Sequence, residues 1–109
     1  MITVEFSHKD RMGSLHVKGH AGAAEVGKDL VCASASILAY TLGQSVEFLH
    51  REGKVDKLKL SLKEGDAIIR CRAKDDIAFA ELSNVYWVIE NGYLLLAKNF
   101  PEYVEIVNK

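Results

Sequence analysis

At 109 residues the chain is long enough for one domain, here taken as residues 1–109, and too short for two comfortable cores. A hydrophobic content of 49% against 27% charged residues is that of a globular chain, and a net charge of −1 gives no electrostatic ground for nucleic-acid binding. No apolar run reaches the ~18 residues that a membrane span needs, and the two cysteines, Cys32 and Cys71, stand in contexts too different for a disulfide framework.

The opening MITVEFSHKD alternates, with Ile2, Val4 and Phe6 on one face, so it reads as a half-buried strand and not as a signal peptide. A reduced, cytoplasmic protein is the simplest expectation. Lys9-Asp10-Arg11-Met12-Gly13 is a turn signal, and Leu15 and Val17 alternate with His16 and Lys18 in a second strand that completes a hairpin near His20. Residues 19–29, with Gly19, Gly22, Gly27 and three alanines, show no period and read as an adaptable loop.

Val31, Ala35, Leu38, Leu42, Val46 and Leu49 then form one stripe, which predicts a helix over residues 30–52 with Asp29 as N-cap and Gly53 as C-cap. Val55, Leu58, Leu60 and Leu62, a turn at Lys63-Glu64-Gly65-Asp66, and Ala67, Ile69 and Cys71 predict a second hairpin. Asp75-Asp76 opens a second helix with Ile77, Ala80, Tyr86, Val88, Ile89 and Tyr93 as its apolar side. That helix continues past Gly92 and stops before Pro101, and Tyr103, Val104, Ile106 and Val107 fit a last strand. The order β-β-α-β-β-α-β predicts an α+β two-layer sandwich, with both helices on one face of a mostly antiparallel or mixed sheet.

The chemistry gathers between His20 and Cys32. A cysteine in the first turn of a helix, with a histidine ending the preceding strand, is the pairing that makes a nucleophilic thiolate. The helix end alone contributes only ~0.3–1 kcal/mol at an exposed site, less than the ~1.36 kcal/mol of one pKa unit. The Asp29 carboxylate opposes the shift, so a reactive Cys32 depends on His20 coming close. With Asp29 as N-cap, Cys32 falls at N3, and first-turn N–H groups could hold an oxyanion. Ser36, four residues on, shares the face of Cys32 and could bond the histidine or a substrate.

Each of these residues also has a plain structural use. Cys32 can pack as a small hydrophobe, Asp29 can merely cap, Ser36 can fill a helix and His20 can be a surface residue. Cys71, inside an alternating strand, reads as inert core. His16 and His20 share a strand face with His8 across the hairpin, but four residues at ~3.3 Å each separate the first two by about 13 Å, too far to share a metal ion. No CxxC or HExxH pattern exists, so no metal and no cofactor is expected. Gly27-Lys28 is followed by Asp29 and not by Ser or Thr, so it is not a phosphate-binding loop.

Gly19-His20-Ala21, Gly27-x-Asp29-x-Val31-Cys32-Ala33 and then Ser36 resemble the signature of the bacterial ribosomal-processing cysteine proteases, the Prp family. The match in length and element order covers nearly the whole chain. The resemblance implies a homodimeric cysteine peptidase of Gram-positive and related bacteria. Its substrate would be a ribosomal protein precursor: it removes the N-terminal extension of large-subunit protein L-twenty-seven, cutting after an aromatic pair and before a small residue. On this resemblance Cys32 is the nucleophile and His20 the base, with Gly19, Asp29 and Ser36 at supporting motif positions. The resemblance also implies a loop, including Ala21, Gly22 and Gly27, that moves as substrate enters. Two readings compete with it: a ribosome-associated binding module in which Cys32 only packs, and a cysteine hydrolase of another substrate.

Overall fold

The computed structural model describes residues 1–20 and 26–108, apart from the side chains of 26–29 and 108. The elements are β1 (Ile2–Lys9), β2 (Met12–Lys18), α1 (Val26–Arg51), β3 (Val55–Lys63), β4 (Asp66–Ala73), α2 (Asp76–Asn99) and β5 (Val104–Asn108). This is the α+β order read from the sequence. The five strands form one mixed sheet in the order β3-β4-β2-β1-β5, with β5 parallel to β1 and every other neighbour antiparallel.

Strand alternation decides which face is covered. Ile2, Val4, Phe6, Leu15, Ala67, Ile69, Cys71 and Ala73 are buried under the helices, while their neighbours Thr3, Glu5, His16, Ile68 and Arg70 point to the other face. From α1, Val31, Ala35, Ala39, Leu42, Val46 and Leu49 meet that core, nearly the stripe that the sequence predicts. The C-terminal end of α1 closes as expected at Gly53 (φ +73°). The Gly53 N–H donates to His50 O (3.0 Å) and the Lys54 N–H to Leu49 O (2.9 Å), a Schellman arrangement.

Two expectations are corrected. Helix α1 begins at Val26, not at residue 30. Gly27 reads as a breaker, yet a glycine inside a helix costs only about 1 kcal/mol against alanine, which a long, packed helix outweighs. In α2 the buried residues are Ala78, Leu82, Tyr86, Ile89, Tyr93 and Leu96, whereas Ile77 is 85% exposed and Val88 61% exposed. The segment is apolar nearly all round, so periodicity leaves its phase open. Asp75 is the N-cap, accepting a bond from the Ala78 N–H (2.8 Å), and the sheet selects the face.

The helices are locked to each other near the future site. Gly92 lets Leu38 approach, since a Cβ there would stand 2.6 Å from Leu38 Cδ2. The Tyr93 hydroxyl donates to the Ala35 carbonyl at 2.7 Å, while its ring meets Phe6 edge-on at 5.6 Å between centroids. The part of α1 that carries Cys32 and Ser36 is therefore held against the sheet by a buried tyrosine.

Candidate active site

Cys32 is half-buried on α1, and Ser36 and Tyr40 follow it one and two turns on, both exposed. All three line a cavity of about 310 Å³. Its opposite wall comes from the ends of strands: Ile2 of β1, Val17, Gly19 and His20 at the end of β2, and Lys63, Glu64, Gly65, Asp66 and Ala67 at the β3–β4 turn. The cavity thus brings together His20, Cys32, Ser36 and Gly19 among the residues singled out in the sequence.

Gly19 has φ +95°, a left-handed value that only glycine adopts without strain. It ends the strand alternation, so His20 enters the cavity beside Val17 and Ile2. His16 stays on the opposite face of the sheet, while His8 sits on the helix side and its Nε2 lies 3.3 Å from Glu90 of α2. The expectation that His16 and His20 share a face, with His8 across the hairpin, is therefore corrected. Glu5, not His8, faces His16 in the β1–β2 register.

Three contacts hold the His20 segment. The Gly19 N–H donates to Gly65 O at 2.9 Å. The N-terminal ammonium of Met1 donates to the His20 carbonyl at 2.6 Å. The His20 ring lies on the backbone of Gly65, where an added Cβ would abut Nε2 and stand 2.7 Å from Cε1. Next to that turn residue, Asp66 Oδ1 pairs with His16 Nε2 at 2.7 Å, and this bond from His16 holds the Asp66 carboxyl below the usual range.

The earlier start of α1 changes the electrostatics expected at Cys32. The cysteine is the seventh residue of the helix and not the third. The orphan first-turn N–H groups belong to residues 26–29, and Cys32 lies about 9 Å along the axis from Val26 at ~1.5 Å per residue. The dipole effect fades within the first turn. Cys32 is therefore not at N3, and the first-turn N–H groups do not lie beside its sulfur. Asp29 lies inside α1 and is not its N-cap, and Gly27 is helical rather than part of a loop. The Asp29 side chain, and Ala21 and Gly22, lie outside the described residues.

Cys71 differs from Cys32 in its burial. It is fully buried in β4, and burial pushes its thiol up to about 11. Beside it the Tyr86 hydroxyl, raised by burial too, donates to Ile69 O at 3.1 Å. Among the described residues no group of three or more His, Cys, Asp or Glu is placed to hold a metal ion, and no helix is long and apolar enough to cross a membrane.

The Lys63-Glu64-Gly65-Asp66 turn is legible in the sequence but its place at this cavity is not, and Tyr40 is not singled out there. Tyr40 was discoverable, because it continues the i, i+4 row of Cys32 and Ser36. The place of the turn beside His20 was not, because it depends on β4 pairing with β2, in the register Lys18 to Asp66 and Val17 to Ala67.

The model of the family described as cysteine protease Prp matches residues 1–105. The chain belongs to that family. It is a cysteine protease by membership. SMU.848 from Streptococcus mutans is 25% identical over 100% of this chain and 96% of its own, with a TM-score of 0.67. The ribosomal processing protease Prp from S. aureus with a substrate peptide is 21% identical, with both chains covered over 100% and a TM-score of 0.70. The same S. aureus protein with a covalently linked product peptide is 23% identical, again over 100% of both chains, at a TM-score of 0.71. At those identities the two S. aureus structures speak for the fold. No curated protein sequence matches significantly.

Proposed function

We propose that residues 1–109 act as a single cysteine-protease domain that removes the N-terminal extension of ribosomal protein L-twenty-seven, with Cys32 as nucleophile and His20 as acid and base. The observation that carries this reading is that the two side chains arrive from different elements, α1 and the end of β2, to line one cavity. Family membership supports the reaction class. The S. aureus relative, crystallised with a substrate peptide and with a covalently linked product peptide, supports a peptide substrate and a covalent intermediate.

In this mechanism His20 takes the Cys32 proton, and the thiolate attacks the peptide carbonyl carbon. The C–N bond breaks as the imidazolium gives its proton to the leaving amine. Water then attacks the thioester, His20 accepts its proton, and the thiolate leaves with the acid product released. Ser36 and Tyr40 line the same cavity and are available to the substrate. Gly19, by its positive φ, turns His20 inward. The enzyme needs no cofactor for these steps.

The protein works in the cytoplasm, where its substrate is assembled, and as a homodimer. The helix layer leaves Ile37, Phe48, Trp87, Val88 and Leu95 each more than half exposed, an apolar surface of the kind that a second copy covers. The deciding experiment is cleavage of a peptide spanning the extension junction by wild type, Cys32→Ala and His20→Ala. Loss of cleavage in both variants, with folding retained, is the expected result; Cys32→Ala that cuts at the normal rate overturns the assignment.

A further inference from the structure

His20 is exposed and lies two residues beyond the end of β2 at Lys18. A base in that setting needs something to hold its ring. The β3–β4 turn is the element that touches it. Gly65 has φ +77° and presents bare backbone to the ring, so that any Cβ there would abut Nε2 and crowd Cε1. The Gly19 N–H to Gly65 O bond fixes the distance between the two backbones. The His16–Asp66 pair, one residue further on, ties the turn to β2 from the other face of the sheet.

From these contacts we infer that the β3–β4 turn is the positioning platform for His20, with Gly65 as the positioning residue and the His16–Asp66 pair as its anchor. The inference rests on the reading of His20 as the base. It explains why a glycine stands at the turn where φ alone would also admit asparagine: the second demand is an absent side chain. Lys63 and Glu64 of the turn line the cavity with His20, the Asp66 carboxyl is turned to His16 on the other face, and the Met1 ammonium bonds the His20 carbonyl.

The test compares Gly65→Ala with Gly53→Ala. Gly53 has a similar φ of +73° but nothing within 4 Å of an added Cβ, so it shares the backbone strain without the collision. Peptide-cleavage kcat and KM, and the pH midpoint of Cys32 alkylation, are measured with Asp66→Asn and His20→Ala alongside. Gly65→Ala is expected to lose about 100-fold in kcat, the low end of what a general acid–base contributes, and to move the alkylation midpoint as His20→Ala does. Gly53→Ala keeps the wild-type kcat, KM and midpoint. Asp66→Asn loses roughly threefold to tenfold in kcat through a loosened turn. If Gly65→Ala matches Gly53→Ala while His20→Ala is inactive, the platform is overturned and the base stands. If His20→Ala is active, the base reading itself fails. Should Gly65→Ala not fold, Asp66→Asn decides, and a wild-type kcat there overturns the inference.

Discussion

Gly13→Ala is the sharpest test of how the sheet meets α2. Gly13 is in β2, paired to His8 on one side and Cys71 on the other, so its backbone cannot move away. An added Cβ would stand 2.8 Å from Tyr86 Cζ and 3.0 Å from Cδ1. That ring is fully buried and has nowhere to go. Overpacking of this kind costs ~1–3 kcal/mol. Displacing the ring also strains the Tyr86 hydroxyl bond to Ile69 O, 3.1 Å long, and such bonds contribute about 1 kcal/mol. Replacing a glycine in a strand returns roughly 0.5–1 kcal/mol of chain entropy. The net expectation is a loss of about 2 kcal/mol, which at ~2.1 cal/mol/K per residue over 109 residues lowers Tm by roughly 9 °C. Urea unfolding with an unchanged m-value is the assay. In a Tyr86→Leu background the same substitution should cost far less, because the partner of the collision is gone. A Gly13→Ala protein within about 0.5 kcal/mol of wild type would refute the reasoning, since surface-like changes fall in that range.

Three further predictions concern the two thiols and the Asp56–Arg72 pair. Under native conditions a thiol reagent should modify Cys32 and spare Cys71, with both labelled once the chain is unfolded; equal labelling of the folded protein would contradict the burial argument. Because the folded Cys71 thiol stands at about 11 against an ordinary 9.0, the stability it contributes is intact below 9.0 and is lost as pH rises toward 11, so Cys71→Val should flatten the alkaline fall in Tm. Asp56, bonded twice by Arg72 at 3.1 and 2.9 Å, is lowered from its ordinary 3.8, chiefly by that bond. Its contribution is present above 3.8 and lost as pH falls through the lower folded value, so the Tm gap between wild type and Asp56→Asn should close in acid; a gap that persists there would exclude the pair as its source.

The elements and their order are legible in the residues alone, because alternation at Ile2-Val4-Phe6 and the Val31-to-Leu49 stripe are local patterns that only one element type can bury. The sequence also singles out His20, Cys32 and Ser36, whose spacing carries the family resemblance. Where several local answers lie close in energy, packing between distant segments selects among them. The start of α1 turned on about 1 kcal/mol at Gly27, and the buried face of α2 turned on which of several apolar rows met the sheet. Most of all, the setting of His20 came from strands distant in sequence. Pairing of β2 with β4 sets Gly65 beneath its ring and Asp66 beside His16, and no period in residues 1–36 carries information about residue 65.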